Sequence, residues 1–387
     1  MSVCYFDDVT GGHHNSYLAG IVQAAISAGH NVTVASPIRP VTLPEDSTWL
    51  EIQPSALRDY RRARHALTGV VAACMNTGVE VFVDLNLDKN VWALPGTIHR
   101  IGSRVHVLHH AHQYQFEQRS PSGKLRTAYL RWRLQREASE GARIVVHTEH
   151  ARGLLASFLP TDSITCIGYP MQVPSGDEVP KPRQIDSANG PSLLFVGGGR
   201  RHKGLDSLLE AMSQLRSTLT LNVVGRQSTT SASLLASHAA DDRIHWLDSF
   251  VDVADLHDNY RKADLVVLPY TADFEAAGAA SGVLLEALGH GKPIITTTAL
   301  QPQLPPHYEG AVVVPPGDVP SLAEGISRAV QMLPQLAEGA RLGPAFVRQH
   351  HSFGTYIETF SPSLTHDVEQ EKKTGPTVGG DASSPRQ

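Results

Sequence analysis

Residues 263–298 read ADLVVLPYTADFEAAGAASGVLLEALGHGKPIITTT. The unbroken apolar run 265–269 suits a strand in a parallel sheet covered on both faces. A loop of small residues follows, 276–282, where little side-chain bulk keeps a ligand from the backbone. The pattern then predicts a helix over 283–288, ended by Gly289-His290-Gly291 as a glycine C-cap, and a second apolar strand over 293–297. In such strand–loop–helix–strand units the ligand sits outside the carboxyl ends of the strands, where the loop and the helix N-terminus point. The helix holds one carboxylate, Glu286, among apolar neighbours. That is a binding-site layout.

Outward from this stretch, strands and helices alternate. Strands are expected at 193–196, 219–224, 244–247 and 312–314, with helices over 204–215, around Leu234 and over 320–332. The first half repeats the scheme. Strands at 3–6, 31–35, 79–85, 105–109 and 143–148 are joined by polar or helical sequence, the first helix marked by Leu18, Ile21, Val22, Ala25 and Ile26 and closed by Gly29. Alternation of this kind implies parallel pairing with right-handed crossovers, hence α/β domains. Residues 174–192, PSGDEVPKPRQIDSANGPS, offer almost nothing to bury and read as a linker. The predicted organisation is a first domain over 1–173, that linker, a second domain over 193–335, a helical and aromatic segment over 336–362, and a polar, disordered tail over 363–387.

A chain of 387 residues is long enough for two ordinary cores. Its 41% hydrophobic and 18% charged content describes a globular protein, and a net charge of −5 argues against nucleic acid as a partner. The three cysteines, Cys4, Cys74 and Cys166, lack metal-ligand spacing and read as reduced thiols. With no apolar run of about 18 residues and no charged-then-apolar leader, a cytoplasmic protein is expected.

Pro269-Tyr270, Ser281-Gly282, Leu284-Leu285-Glu286-Ala287 and Gly289-x-Gly291-Lys292-Pro293 together resemble the signature of family 4 glycosyltransferases. The resemblance covers 190–335 by motif and the first half by layout. It implies the GT-B fold, two Rossmann-like doubly wound domains facing each other across a cleft. It also implies transfer of a sugar, with retention, from a nucleotide-sugar (UDP- or GDP-linked) to a hydroxyl acceptor, and a 336–362 segment that returns to the first domain. No metal and no bound cofactor is expected. That family often carries two glutamates seven residues apart. The second matches Glu286; Gly278 stands at the first, and Glu275 lies three residues too early to replace it.

The stretch 196–204, VGGGRRHKG, follows a strand and opens a helix. Glycines let backbone N–H groups approach a phosphate, and the helix N-terminus adds partial positive charge. Gly198 and Gly199 would contact a diphosphate, with Lys203 and Arg200 or Arg201 meeting the charge that develops as it leaves; a plain glycine turn with exposed basic residues is the alternative. Glu286 would accept hydrogen bonds from a ribose diol. Ser281, Gly282 and Val283 would lie near the sugar and β-phosphate; Gly225 and Arg226, at another strand end, read equally as a wall of the same crevice or as a simple strand-end turn.

The resemblance places Gly11, Gly12, His13 and His14, between the first strand and helix, against the donor phosphates or the acceptor, a plain tight turn being the even alternative; it also points to a histidine after the strand at 105–109, matched by His109 with His110 beside it. His109 reads first as a substrate contact, with a general base possible, and second as a structural strand-end residue. Zinc is disfavoured, because strand alternation sends His106 and His109 to opposite faces.

Between Arg119 and Arg136 lie six basic residues and no acidic one. Leu125, Ala128, Tyr129 and Trp132 form an apolar stripe among them. Such a helix either contacts an anionic membrane or packs its stripe inside with its arginines solvated. The second reading is preferred, since an α/β domain needs such helices. A non-catalytic subunit that binds nucleotide-sugar or glycan for a partner enzyme is the rival to the transferase as a whole.

Overall fold

The computed structural model describes residues 1–9, 14–54, 60–94, 106–111, 121–172, 190–197, 200–226, 229–247 and 253–358. The linker call at 174–192 lies almost wholly outside them, as do the tail at 363–387 and Gly11, Gly12, His13, Gly198 and Gly199.

Thirteen strands form two parallel sheets among the described residues. The first holds β1 (Ser2–Phe6), β2 (Asn31–Ser36), β3 (Thr48–Glu51), β4 (Val81–Asp84), β5 (His106–Ala111), β6 (Arg143–Val146) and β7 (Ile164–Cys166), in the order β3-β2-β1-β4-β5-β6-β7. The second holds β8 (Ser192–Val196), β9 (Thr220–Val224), β10 (Ile244–Leu247), β11 (Leu265–Leu268), β12 (Ile294–Thr297) and β13 (Ala311–Val314), in the order β10-β9-β8-β11-β12-β13. Period-two alternation sorts the central strands between two apolar layers. From β1, Cys4 and Phe6 join the helix Tyr60–Asn76 on one face, while Val3 and Tyr5 join the helix His14–Ser27 on the other. In β8, Leu193 and Phe195 face one layer and Leu194 and Val196 the opposite one.

In each sheet the chain reverses its direction of winding beside one central pair, β1/β4 in the first and β8/β11 in the second. A crevice opens there at the carboxyl ends of the strands.

The last helices join the two units. The helix Leu342–His351 lies against the helix Gly282–Gly289, with Gly343 so close to the Leu288 carbonyl that a Cβ would not fit. Residues 353–358 are helical, and Tyr356 and Ile357 are buried in the first unit's core. The Phe353 ring covers Gly20.

Three features depart from the sequence reading. The short strands β3 and β7 escape it because they lie at the two edges of the sheet and carry only four and three residues, too few for a period to emerge. The helix Tyr60–Asn76 is masked in sequence by its basic first turns, although Ala63, Leu67, Val70, Val71 and Cys74 form its buried face. The third is a correction. The helix Pro121–Ser139 turns Leu125, Ala128, Tyr129 and Trp132 outward and buries Leu130, Arg133, Leu134 and Glu137 instead. Arg133 makes this feasible: Nη2 donates to the Leu94 carbonyl at 2.9 Å and lies 3.4 Å from Glu137 Oε1, so a cation assigned to solvent is held inside by a carbonyl and a carboxylate.

Candidate functional site

The crevice at the ends of β8 and β11 is built from local backbone geometry. After β8 the chain turns at Gly197, with φ 142°, and its N–H donates to the Val224 carbonyl at 2.9 Å. A short 3-10 turn, Arg201–Lys203, ends at Gly204, φ 70°, which caps the helix Leu205–Gln214. Gly204 lies flush against the Pro269 carbonyl, so both its conformation and its surroundings require glycine. This turn folds the half-buried Lys203 back over Gly197. Its ammonium lies 3.5 Å from the Val196 carbonyl and 5.6 Å from the centre of the Tyr270 ring. Arg200 and Arg201 stand exposed beside it. After β9, Gly225 has φ 132° and Arg226 is exposed at the rim.

From β11 the chain passes through Pro269 and Tyr270 into a short helix, Ala272–Ala276, and then into the loop that precedes the helix Gly282–Gly289. Ser281 caps that helix: its Oγ accepts from Leu284 N at 3.2 Å and donates to the Tyr270 hydroxyl at 3.3 Å. Gln303 holds the loop from behind, accepting from Ser281 N at 2.9 Å and donating to the Ala279 carbonyl at 2.9 Å. At the other end Gly291, φ 60°, closes the helix with bonds from Gly291 N to the Leu288 carbonyl and from Lys292 N to the Ala287 carbonyl. This is the double bond of a Schellman cap, and it places the glycine of the C-cap at Gly291. A helix fixed at both ends presents Gly282 and Val283 at its N-terminus, toward the crevice.

Glu286 is half-buried, one turn into that helix. The Tyr260 hydroxyl, wholly buried, donates to its Oε2 at 2.9 Å. Burial raises the Glu286 pKa, while the Tyr260 hydrogen bond and the charge of Lys203 act against that rise. Tyr260 is itself held by His290, whose ring stacks on it at 4.8 Å. His290 is buried and its pKa is pushed down to about 3, chiefly by burial, with the neighbouring charges of His257 and Lys292 adding to it. Lys203 and Glu286 therefore share one electrostatic neighbourhood, as do Ser281, Gly282 and Val283, while Arg200, Arg201, Gly225 and Arg226 stand around its mouth.

Gly278 has φ 62°, and its carbonyl accepts a 2.7 Å hydrogen bond from Thr148 Oγ1 of the first unit. A Cβ there would lie 3.1 Å from Ala151. The position thus carries no carboxylate for a conformational reason: its backbone docks on the helix Glu149–Ala156. Glu275 is exposed and ends the preceding short helix. The aromatic ring of Tyr169 reaches Gly282 from the first unit and packs on Tyr17 and His147.

Sequence reasoning missed Tyr260, Gln303, Thr148 and Tyr169, because each contacts the site through partners distant in the chain. In the first unit, His14 begins the helix His14–Ser27, and His109 and His110 belong to β5, paired with β4 and β6. Among the described residues no group of three or more His, Cys, Asp or Glu is arranged to hold a metal, and no helix is long and apolar enough to cross a membrane.

Residues 190–332 match the family described as glycosyl transferases group 1. The lipopolysaccharide glucosyltransferase WaaG of Escherichia coli (strain K12) is 30% identical over 186 residues, which is 45% of this chain and 47% of that protein. The match thus spans about half the length of that relative. Among solved structures, sucrose-phosphate synthase from Thermosynechococcus elongatus superposes with a TM-score of 0.69 at 18% identity, covering 96% of this chain and 98% of that one. Anabaena Alr3699/HepE in complex with UDP-glucose gives 0.69 at 16% identity, covering 96% and 100%. The chain therefore has the GT-B fold, with two Rossmann-like units, and its resemblance to group 1 glycosyltransferases holds over the second unit.

Proposed function

From a GT-B fold whose second unit matches glycosyl transferases group 1, we propose that this protein is a retaining glycosyltransferase. It moves a sugar from a nucleotide-diphosphate-sugar, UDP- or GDP-linked, to a hydroxyl acceptor. The observation that carries this reading is the convergence of Lys203 and Glu286 at the β8/β11 crevice, beneath a helix N-terminus fixed at both ends. Lys203, with Arg200 or Arg201, meets the negative charge that grows on the departing diphosphate, a task that preorganised cations perform without solvent reorganisation. The N-terminus of the helix Gly282–Gly289 adds its partial positive charge. Glu286 takes a ribose hydroxyl; since Tyr260 already occupies Oε2, Oε1 is the oxygen offered to the nucleotide. The acceptor enters from the first unit, past the end of β5 that carries His109 and His110, and attacks on the face the diphosphate leaves. No metal and no cofactor takes part in this scheme.

The test is nucleotide release from a panel of UDP-, GDP- and ADP-sugars, with and without EDTA, for the wild type, Lys203→Ala and Glu286→Ala. Release from one donor, indifferent to EDTA and lost in both variants, supports the reading. Release abolished by EDTA would remove the metal-independent mechanism. Gly278 favours a second reading, a subunit that binds nucleotide-sugar for a partner enzyme, because its backbone is committed to Thr148. Donor binding by calorimetry without turnover of any donor would select it.

A further inference from the structure

Residues 276–282 read AAGAASG, a loop without the side chains to hold itself. Its one polar side chain, Ser281, is taken up by the helix cap. A run of alanine and glycine loses much backbone freedom on ordering, so its shape has to be set by groups outside it. The structure supplies them from two sides. Behind the loop, Gln303 takes Ser281 N and the Ala279 carbonyl. In front, the first unit meets both glycines. Thr148 Oγ1 donates to the Gly278 carbonyl at 2.7 Å, and the Tyr169 ring stands 3.9 Å from where a Cβ on Gly282 would lie.

Both first-unit residues are themselves fixed. β6 and β7 lie side by side and parallel, so the segments carrying Thr148 and Tyr169 leave the first sheet at the same edge. Thr148 Oγ1 accepts from Ala151 N at 3.1 Å as the N-cap of the helix Glu149–Ala156. A hydroxyl has one proton, and with a lone pair committed to the cap that proton is directed at Gly278. Tyr169 is held through its backbone: its carbonyl accepts from His351 Nδ1 at 3.2 Å, and Met171 N donates to the His351 carbonyl at 2.8 Å. Gly168, next to it, lies too close to the His350 carbonyl to carry a Cβ. The Tyr169 ring packs against the apolar cores of both units. Burial, and then the charge of Glu286, raises its pKa, so the phenol lies within the field of that carboxylate.

We propose that Thr148 and Tyr169 are positioning residues for the nucleotide-sugar: through them the first unit holds the 276–282 loop, and the helix N-terminus that follows it, in the shape that receives the diphosphate. The place of the diphosphate rests on the transferase reading; the hold on the loop does not. Nucleotide affinity is then set in part by residues outside the matched segment 190–332.

Calorimetry of the full chain with UDP and with GDP tests this. Thr148→Val keeps the shape and removes the hydroxyl. Thr148→Asp keeps a helix cap but has no proton to give to Gly278. Each should weaken nucleotide binding at least about fivefold, the equivalent of one lost hydrogen bond. Thr148→Ser, which caps and donates, should stay within about twofold of wild type. Tyr169→Ala should weaken binding about tenfold, and Tyr169→Phe, which retains the ring, far less. In turnover the loss is expected in donor KM with kcat little changed, whereas misfolding lowers the active concentration and hence kcat. Wild-type affinity in Thr148→Val and Thr148→Asp overturns the proposal, as does a loss in Thr148→Ser as large as theirs. Wild type that binds neither nucleotide would remove the transferase reading instead. The hold on the loop is then read by hydrogen exchange in the nucleotide-free chain: amides 278–285 should exchange faster in Thr148→Val and Tyr169→Ala than in wild type, and equal rates overturn it.

Discussion

The two crevices occupy the same topological point in the two halves and hold opposite kinds of polar group. At and beyond the ends of β1 and β4, the first unit buries Asp7, Asp8 and Asp84 with Asn86 and Asn90. Asp7 Oδ1 accepts from Asn86 Nδ2 at 2.6 Å, and Asp84 Oδ1 from Asn90 Nδ2 at 2.7 Å. Beyond β8 and β11, the second unit sets Lys203, with Arg200 and Arg201 near it, under a capped helix N-terminus, and Glu286 is bonded by Tyr260. One fold thus lines one strand-end crevice with buried carboxylates and amides and the other with exposed and half-buried cations. On the transferase reading proposed above, a diphosphate is expected in the second.

Removing the attraction should have the largest consequence. Lys203→Ala is expected to lower nucleotide-sugar turnover about 10²–10³-fold, the cost of losing one preorganised charge at a leaving group. Lys203→Arg should recover only part of it, because a planar guanidinium does not fit a point-charge position over Gly197. Steady-state nucleotide release measures both.

Where the units meet, Gly278→Glu is expected to lower stability by about 2 kcal/mol. A side chain must adopt φ 62° and press on Ala151. Thermal denaturation reads this; an unchanged midpoint would mean that the Thr148–Gly278 contact is not formed in solution.

Tyr260→Phe leaves the ring on His290 and removes only the hydroxyl. Donor KM should rise about tenfold with kcat little changed, since a hydrogen bond to a charged group contributes about 1.5–3 kcal/mol. The sign with pH follows from the bond. Tyr260 opposes the rise that burial imposes on the Glu286 pKa, so its loss moves that pKa further up and the acid limb of donor binding toward higher pH. An unmoved limb would show that Tyr260 acts on packing alone.

The second unit should also be the more acid-sensitive beside its site. His290 holds a pKa of about 3 when folded, below the ordinary histidine value. The unfolded chain takes up the proton first, so this contribution is present above about pH 6.5 and is lost as pH falls toward 3. The slope is about 1.4 kcal/mol per pH unit within that window. His290→Gln should flatten the stability profile there.

Much of this arrangement is legible in the chain itself. The run 265–269, the loop of small residues and the glycine-ended helix announce a ligand-binding α/β unit because each obeys a local rule of period or cap. Lys203 and Glu286 are legible for the same reason, each lying a fixed step from a glycine turn or a helix start. Tyr260 is not, since its role depends on a hydroxyl meeting a carboxylate 26 residues later across a packed layer. The outward stripe of the helix Pro121–Ser139 is not legible either. Its reading turns on where Arg133 finds a carbonyl, and Leu94 is 39 residues away. Local rules fix elements; partners distant in sequence decide which face is buried and which oxygen is already occupied.

A crystal structure with UDP or GDP bound tests the difference between the crevices most directly. The diphosphate is predicted to lie between Lys203 and the N-terminus of the helix Gly282–Gly289, with the ribose on Glu286. A nucleotide held instead beside Asp7 and Asp84, or in the second unit but away from Lys203, would contradict it.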